Sequence, residues 1–377
     1  MHYFTFASQD TYISSGSNRI TGVTKTDQNF GQDQILEVKK EFFNDSFDYP
    51  TRTLVQFDLT TVSKSVADGT ITSPSFYLRL YEAEGNQEQT LDYTLAALAI
   101  SQSWDEGVGK GGDNPKTING CSWENRINKP NISALKWSGS KDGSTFPHAL
   151  GGATHSLSSS TQIFSNQSPD VEMDITAMTN GWISGSTAGG FENYGLLLRF
   201  SGSEETDSTT FGQLKFFSKQ THTIFSPKLE VRWDDHIIAT GSATGSLPAL
   251  NVAGTEDNYL YVKQLKNKYK ETDKVKFRVG ARKRYITKSF STSVQTVSQS
   301  FVPEGSGSYA IRDVATGENI IPFSDFTKLS CDVSGSYFTQ WLNTFEPNRV
   351  YKIMLKLKTD DGNQQIFDED FEFKVKR

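Results

Sequence analysis

The stretch Thr51–Thr60, TRTLVQFDLT, decides the fold of this chain. Its apolar residues Leu54, Phe57 and Leu59 are spread along it, and the β-branched Val55 lies among them. This pattern is typical of a strand that is buried mainly on one face.

The segments on either side of this stretch also have the pattern of strands. They are short apolar runs separated by turn signals rich in Gly, Ser and Asn. They comprise Tyr3–Ala7, Thr11–Ile13, Ile35–Lys39, Ser75–Tyr81, Leu91–Ile100, Tyr194–Phe200, Gln213–Ser218 and Lys228–Trp233. Many strands with few helices predict a jelly-roll β-sandwich over residues 1–236. One short helix is expected over Ile175–Ile183, with Asp174 as its cap.

The rest of the chain predicts a second, smaller β domain. Residues 237–256 are dense in Gly, Ala, Ser and Thr, which is typical of a linker. Residues 257–377 contain further alternating segments and favour an immunoglobulin-like β-sandwich. Apolar residues recur at helical spacing within 337–345, so we expect a short helix there. The predicted fold class is therefore all-β, with two sandwiches joined by a linker.

Composition and cysteine usage indicate the broad class of protein. Charged residues are 22% and hydrophobic residues 35% of the 377, which is typical of a globular chain. No run approaches the roughly 18 apolar residues of a membrane-spanning helix. The N-terminal MHYFTFASQDTY lacks the basic and apolar segments of a secretion signal, so we expect no export. Cys121 and Cys331 are far apart, which predicts no disulfide and a reducing compartment.

No motif in the sequence predicts an enzyme. Gly107–Gly112 matches G-x-G-x-x-G, but a dinucleotide site needs a helix next, and Asp113–Pro115 follow instead. The five histidines lack metal-ligand spacing, and no nucleophile motif accompanies them. Asp105 and Glu106 beside Trp104 would suit a glycosidase, but adjacent acids do not set the required carboxyl separation. We predict a protein with no catalytic residues, no cofactor and no metal.

Two kinds of ligand site stay open as alternatives. Trp123 and Trp137 lie in a long, turn-rich excursion and are the candidates for stacking on sugar rings. The favoured alternative is that both rings anchor the excursion against the sandwich. Calcium is the other ligand, with oxygen atoms from Asp10, Asp58 or Asp234, although no contiguous D-x-D-x-D-G loop supports it.

The net charge of −6 hides an asymmetry along the chain. Residues 1–256 carry 18 Lys and Arg against 29 Asp and Glu, whereas residues 257–377 carry 20 against 15. A solvated surface is the simplest explanation of the basic segment Lys263–Lys288. Docking onto an acidic protein neighbour is the second explanation, and nucleic acid is the least favoured. The candidate docking strip comprises Lys274, Lys276, Arg278, Arg282, Lys283 and Arg284.

A series of short motifs resembles the DNRLRE-type domain in order and spacing. The motifs are Asp10-Thr-Tyr12, Asn29-Phe-Gly31, Leu36-Glu-Val38, Arg52–Leu59, Leu80-Tyr81, Ser103-Trp-Asp-Glu106 and Pro227–Val231. The resemblance covers about residues 1–235. It implies a jelly-roll β-sandwich of the kind seen in cell-surface and carbohydrate-associated proteins. It also implies that the segment after Ser103 is a structural turn with Trp104 in the core.

The whole chain is also similar to structural proteins of large contractile-tailed marine phages, cyanophage-like. The segments that carry this similarity are Phe216–His222, Pro322-Phe323, Lys328–Cys331, Tyr337–Leu342 and Phe371–Arg377. The resemblance implies a non-catalytic virion component of the tail, neck or baseplate. Such a protein would be made in the host cytoplasm, contact other virion proteins and assemble as a homo-oligomer. The alternative function is a carbohydrate-binding module that recognises a host surface glycan.

Overall fold

The protein is nearly all β in a computed structural model that describes residues 1–17, 22–40, 49–84, 92–137, 151–165, 170–240, 244–285 and 289–377. The predicted fold class, an all-β sandwich protein, is confirmed. The chain divides into two compact units. The larger unit holds Thr5–Thr70 and Ser75–Val231, and the smaller unit holds Met1–Phe4, Ile71–Pro74 and Arg232–Arg377.

Thirteen strands and two helices lie within residues 2–232. The strands are β1 (His2–Ser14), β2 (Ile35–Lys40), β3 (Thr51–Phe57), β4 (Ser75–Leu80), β5 (Glu82–Glu84), β6 (Asp92–Ile100), β7 (Asn125–Ile127), β8 (Leu135–Lys136), β9 (Thr154–Ser165), β10 (Val171–Asp174), β11 (Leu196–Phe200), β12 (Gly212–Phe217) and β13 (Lys228–Arg232). The helices are α1 (Thr60–Ala67) and α2 (Thr176–Ser184). These counts apply to the described residues.

The strand at the centre of the larger unit is β3. It pairs antiparallel with β1, β11 and β2 within an eleven-stranded network whose main path runs β10-β4-β13-β1-β3-β11-β6-β9. Neighbouring side chains of a strand point to opposite faces. Leu54 and Val55 are both fully buried, so β3 is covered on both faces, not mainly on one as the sequence predicted.

Only one of the two helices of the larger unit was predicted from the sequence. The helix expected over Ile175–Ile183 is confirmed as α2, and Asp174 Oδ1 accepts a hydrogen bond from Thr176 N at 2.9 Å. No helix was predicted for the residues of α1. Asp58 Oδ1 accepts bonds from Thr60 N at 2.9 Å and Thr60 Oγ1 at 2.6 Å, which ends the strand and starts that helix.

The smaller unit contains a sandwich of two sheets. Its strands are β14 (Asn258–Lys263), β15 (Lys268–Lys270), β16 (Lys274–Lys283), β17 (Gly307–Asp313), β18 (Asn319–Ile321), β19 (Ser330–Asp332), β20 (Gly335–Trp341), β21 (Val350–Lys358), β22 (Gln364–Phe367) and β23 (Glu372–Lys376). One sheet has the order β14-β16-β20-β19, and the other runs β15-β23-β21-β17-β18 with β22 on β21. Side chains such as Phe277, Phe338, Tyr309 and Ile353 fill the core.

The helix predicted within 337–345 is wrong. The strand β20 occupies Gly335–Trp341 and pairs with both β16 and β19, and only Leu342–Thr344 form a 3-10 turn. Phe338 and Gln340 face one way and Tyr337 faces the other, yet all three are buried. A strand covered on both faces loses its alternating pattern, and its apolar run then resembles a buried helix.

Part of the predicted linker is packed into the smaller unit. Leu250 and Val252 are buried in its core, and Leu250 N donates to Phe301 O at 2.9 Å. Residues 241–243 of this segment, and residues 138–150 and 166–169 of the turn-rich excursion, lie outside the described residues. Within the ranges that the structure describes, no helix has the length and apolar character needed to cross a membrane.

Candidate functional site

Four aromatic side chains from separate parts of the sequence meet on the larger unit. Phe6 belongs to β1, Tyr81 follows β4, Phe217 ends β12, and Phe225 lies in the loop before β13. The ring centroids of Tyr81 and Phe225 are 5.3 Å apart, and those of Phe217 and Phe225 are 5.7 Å apart. All four side chains are half-buried, so each keeps part of its surface exposed. We call this set the aromatic platform.

The strand pairing explains why these rings come together. Phe216 pairs with Glu82 and is fully buried, so the next residue, Phe217, must point to the opposite face of β12. Phe217 N donates to Tyr81 O at 3.1 Å, which places the two aromatic residues side by side. Ala7 N donates to Pro227 O at 3.1 Å and brings β1 beside the loop that carries the fourth ring.

A buried lysine lies beneath two of the platform rings. Lys228 is 6% exposed, and its Nζ lies 5.5 Å from the ring centroid of Phe6 and 5.4 Å from that of Tyr81. A cation near the face of an aromatic ring is attracted by the ring quadrupole, by up to about 2 kcal/mol when desolvated. Lys228 therefore contributes to the position of both rings.

Polar groups border the platform. The loop before Phe225 carries Thr221 and Thr223, whose Oγ1 atoms are 3.2 Å apart, and Phe225 N donates to Thr223 Oγ1 at 3.2 Å. On the paired strand β5, Glu84 forms an ion pair with Lys215 at 2.5 Å. Hydroxyl groups and carboxylates beside half-buried rings are the usual complement of a polyhydroxylated ligand in a binding site.

A buried ionic cluster supports the strands that carry the platform. Asp10 Oδ2 accepts a bond from Lys219 N at 2.7 Å, and Asp10 N donates to Glu106 Oε1 at 3.1 Å. Lys219 Nζ donates to Glu106 Oε2 at 2.9 Å and to Ser8 O at 2.7 Å. Lys219 is two residues after Phe217, so the cluster ties the end of β12 to β1.

The electrostatics of this cluster are unusual for an aspartate. Asp10 is 1% exposed, and burial raises its pKa to about 7, with the Glu106 carboxylate adding to the effect. The hydrogen bond from Lys219 N offsets only part of that shift. Asp10 Oδ1 is buried and has no hydrogen-bond partner in this structure. Asp10 therefore changes its charge near neutral pH.

The two acids that suggested a glycosidase have different partners. Glu106 belongs to the buried cluster, whereas Asp105 Oδ2 forms an ion pair with Lys129 Nζ at 3.1 Å. Trp104, which directly precedes Asp105, is buried, and its Nε1 donates to Tyr194 O at 2.8 Å. Each of these side chains has a structural partner of its own.

The glycine-rich segment Gly107–Gly112 is an irregular loop, and no helix follows it before Pro115. Asn29 is fully buried beside this loop, and its Oδ1 accepts a bond from Gly109 N at 2.8 Å. Its Nδ2 donates to Glu106 O at 2.7 Å. The loop is thus fixed by an asparagine, and the helix that a dinucleotide site requires is missing from this part of the structure.

The structure places both candidate glycan-contact tryptophans in the core of the larger unit. Trp137 is 1% exposed, and its Nε1 donates to Ser122 O at 2.9 Å. Trp123 is 8% exposed and lies below the guanidinium of Arg52, which is 4.7 Å from its ring centroid. A Cβ on Gly151 would lie only 2.6 Å from the Trp123 ring, so that side is also closely packed. Stacking on a sugar requires an exposed face, which neither ring offers here.

The basic docking strip is partly paired with acidic residues within the smaller unit. Lys276 and Arg278 both bind Asp332, at 2.7 and 2.5 Å, while Lys283 pairs with Glu256 at 2.9 Å. Burial would raise the pKa of Asp332, but the two cations outweigh it and hold the pKa at about 2. Of the other three members, Arg284 lies 4.0 Å from Asp257, whereas Lys274 lies over the Trp341 ring at 4.8 Å and Arg282 over the Tyr259 ring at 5.1 Å. The last two contacts leave the positive charge uncompensated.

The structure also locates the three candidate calcium ligands. Asp10 lies in the buried cluster, Asp58 precedes α1, and Asp234 Oδ1 accepts a bond from His236 N at 2.9 Å. Across the described ranges, no group of three or more His, Cys, Asp or Glu side chains is arranged to hold a metal ion.

None of the four platform residues was predicted as a binding residue from the sequence. One local signal was present: Phe216 and Phe217 are consecutive in a strand, so one of the two must point away from the core. The remaining proximity depends on strand pairing between distant segments.

Comparisons with known proteins give one family match and a few structural ones. The model of carbohydrate-binding module family 96 matches residues 2–119, which include Phe6 and Tyr81 of the platform. No curated protein matches the chain. The adhesin domain of Epf from Streptococcus pyogenes aligns with 9% identity and a TM-score of 0.17, over 100% of this chain and 91% of that one. Bacteroides uniformis beta-glucuronidase 3 aligns with 10% identity and a TM-score of 0.15, over 80% and 27%.

These matches support one of the functions predicted from the sequence and not the other. The family match supports the carbohydrate-binding alternative. It gives no support to the DNRLRE-type and phage resemblances, nor to a position in a virion, and these stay predictions. The two structural alignments have TM-scores far below 0.5, so they carry no argument about function.

Proposed function

We propose that this protein binds carbohydrate through the aromatic platform of its larger unit. The observation that carries the proposal is the cluster of four half-buried rings, two of which lie in the segment that matches a carbohydrate-binding family. One face of a sugar ring is covered by C–H groups, which pack against aromatic surfaces. The sugar hydroxyls need hydrogen-bond partners, and the Thr221 and Thr223 hydroxyls lie in the adjoining loop.

The expected strength of binding follows from the area that the rings can still bury. Fully burying a Phe side chain contributes about 1.5–3 kcal/mol, and these rings are already half-buried. Removing one ring should therefore cost about 1 kcal/mol, which corresponds to roughly a fivefold loss in affinity. Binding of this kind needs no catalytic residue, and we propose that no reaction follows it.

The test is a glycan screen of the whole chain followed by titration calorimetry with variants. Phe217→Ala and Phe225→Ala should each weaken binding of the selected neutral oligosaccharide about fivefold without lowering the melting temperature by more than a few degrees. Phe290→Ala is the matched control, because Phe290 is fully exposed in the smaller unit and lies outside the platform. Equal affinities for all four proteins would contradict the proposal.

A role in a phage particle is the second candidate function, and the resemblance carried by Phe216–His222 and the C-terminal segment supports it. Such a protein would form several copies in the tail, neck or baseplate and contact other virion proteins. Antibody labelling of purified particles, viewed by electron microscopy, should then mark one position regularly. Unlabelled particles, together with glycan binding in solution, would leave only the carbohydrate-binding proposal.

A further inference from the structure

The smaller unit contains a lysine-lined pocket that none of the functions above uses. Its volume is about 390 Å³, and it lies where β17 begins and β21 ends, beside the 3-10 helix Asp325–Thr327. The side chains that matter for its chemistry are Lys328, Lys356, Lys358, Phe323, Ser308 and Gln364. They belong to four segments of one unit, so the pocket is formed by the fold of that unit.

The backbone around the pocket is held firmly. Lys358 N donates to Ser306 O at 2.7 Å, and Leu329 N donates to Gly307 O at 3.0 Å. A Cβ on Gly307 would lie 2.7 Å from Val302 Cγ1 and 2.8 Å from Leu329 Cδ1, so only glycine allows this close approach. The pocket is therefore largely formed before any ligand arrives, which lowers the entropic cost of binding.

The 3-10 helix on the other side is fixed by its own cap. Ser324 N donates to Thr327 Oγ1 at 2.9 Å, and Ser324 Oγ accepts a bond from Phe326 N at 3.3 Å. This reciprocal arrangement is a capping box. It positions Phe323 just before the helix and Lys328 just after it, on the rim of the same pocket.

The three pocket lysines lack the carboxylate partners that some other lysines of this unit have. Lys276, Lys283 and Lys352 each lie within 4 Å of an Asp or Glu oxygen. Among the residues that the structure describes, Lys328, Lys356 and Lys358 form no such ion pair. Asp325 is the one acid in the lining, so the pocket has a net charge of +2. Uncompensated positive charge in a concave site attracts anions.

The pocket also has surfaces that suit a sugar. Lys356 Nζ lies 4.7 Å from the ring centroid of Phe323, and that ring is half-buried. Ser308 pairs with Lys356 across β17 and β21, which places a hydroxyl on the same face of the sheet as the lysine side chain. Gln364 pairs with Lys358 across β21 and β22 and adds an amide. An aromatic ring, hydroxyl and amide groups and a positive charge together complement a sugar that carries a negative substituent.

The type of cation indicates which negative substituent fits. A carboxylate presents only two oxygens in one plane, and the arginine fork that binds carboxylates and phosphates in a bidentate way is not among the lining residues. Lysine acts as a point charge, so three lysines can each approach a different oxygen of a tetrahedral oxyanion. Sulfate and phosphate esters share this geometry.

We propose that this pocket binds a sugar residue that carries a tetrahedral oxyanion, as a sulfate or phosphate ester. The proposal rests on the proposed function, because it gives the same protein a second contact with a polysaccharide. It differs in location and chemistry, since the platform lies on the larger unit and needs no charge on the ligand.

The experiment is titration calorimetry of the full chain with four probes of equal length: a sulfated, a phosphorylated, a uronic acid and a neutral oligosaccharide. The two ester probes should bind more tightly than the uronic acid probe, and their affinity should fall as salt rises. Lys328→Gln and Lys356→Gln should each weaken ester binding about tenfold, whereas Lys356→Arg should retain most of it. Lys266→Gln is the matched control, because Lys266 is exposed in the same unit but lies outside the pocket lining.

The outcomes separate this proposal from the first one. If the pocket variants lose ester binding while Phe217→Ala loses only neutral binding, both proposals hold. If Phe217→Ala has no effect but Lys356→Gln does, only the platform proposal fails. Equal binding of uronic acid and ester probes, wild-type ester affinity in the lysine variants, or tighter binding of single-stranded DNA than of either ester would each overturn the pocket proposal.

Discussion

Arg52 and Glu205 form a bidentate ion pair at the start of the central strand β3. Arg52 Nε lies 2.7 Å from Glu205 Oε1, and Arg52 Nη2 lies 2.9 Å from Glu205 Oε2. The same guanidinium donates to Gly151 O and covers the Trp123 ring. One side chain of β3 therefore joins the 3-10 helix Gly202–Glu205 to the excursion that holds the two buried tryptophans.

Breaking this pair should destabilise the larger unit. Burial would raise the pKa of Glu205, but Arg52 and Arg199 outweigh it and hold the pKa below its ordinary value. Removal of one partner from a buried pair costs about 3–5 kcal/mol, so Glu205→Gln should lower the free energy of unfolding by about 3 kcal/mol. Urea unfolding at pH 7 measures this change.

The control for this variant is Glu84→Gln, which removes an exposed carboxylate from its ion pair with Lys215. Surface pairs contribute about 0–1 kcal/mol, so this change should be small. Because the pKa of Glu205 is lowered, its contribution is present above the unfolded pKa and is lost as the pH falls through the folded value. The difference between wild type and Glu205→Gln should therefore shrink in acid; a constant difference would contradict this assignment.

Asp10 should give the opposite pH dependence. Its pKa rises from 3.8 to about 7 on folding, so the folded protein binds more protons than the unfolded chain between these values. Stability should then fall as the pH rises from about 4 to about 7, by at most about 4 kcal/mol from this group. Asp10→Asn keeps an acceptor for Lys219 N and removes the ionisation, so its unfolding free energy should vary less with pH.

Urea unfolding at several pH values between 4 and 8 checks this prediction. Asp105→Asn is the control, because Asp105 is a more exposed carboxylate in the neighbouring turn. Wild type and Asp105→Asn should show parallel curves, and Asp10→Asn should cross them with a flatter slope. A slope for Asp10→Asn equal to that of wild type would show that the group does not titrate near pH 7.

The sequence predicted the parts of the fold that have a local signal. The strand character of Thr51–Phe57 follows from its own residues, and so does α2. By contrast, α1 is a polar segment whose start depends on the Asp58 side chain, and β20 is buried on both faces and so mimicked a helix. Secondary-structure patterns weaken where tertiary contacts cover both faces of an element.

The candidate sites were harder to predict because they combine distant segments. The rings of Phe6 and Phe225 are separated by most of the larger unit in sequence. The pairing of β1 with β13, together with the bond from Ala7 N to Pro227 O, brings them together. In the same way, the signal at Lys263–Lys288 was a dense run of charge, yet Lys276 and Arg278 within it share Asp332 of their own unit. The pocket lysines, by contrast, form no dense run in the sequence and so gave no signal there.

Substitution of Gly151 tests how closely the Trp123 ring is packed. It has a φ of +83°, and a Cβ there would lie 2.6 Å from the Trp123 ring. Gly151→Ala should lower the free energy of unfolding by about 2–4 kcal/mol, from backbone strain and overpacking together. Gly69→Ala is the control, because Gly69 has a φ of +71° and open space around it, so this change carries the strain alone. Thermal unfolding measures both, and equal losses would show that the indole moves aside freely.

Lys228 should act on carbohydrate binding through the rings above it. The side chain is nearly buried, so it does not present its ammonium to a ligand, and its Nζ is close to the ring centroids of Phe6 and Tyr81. Lys228→Met keeps the length of the side chain and removes the charge that orients both rings. We expect it to weaken neutral oligosaccharide binding about threefold to tenfold, and Lys228→Arg to weaken it less.

A double-mutant cycle distinguishes ring orientation from general destabilisation. If the lysine acts through Tyr81, then Lys228→Met should add little once Tyr81→Ala has removed that ring, and the two effects on binding should be less than additive. Titration calorimetry on the wild type, the two single variants and the double variant gives the coupling free energy. Fully additive losses would mean that the lysine does not act through the Tyr81 ring. Strand pairing alone would then position that ring.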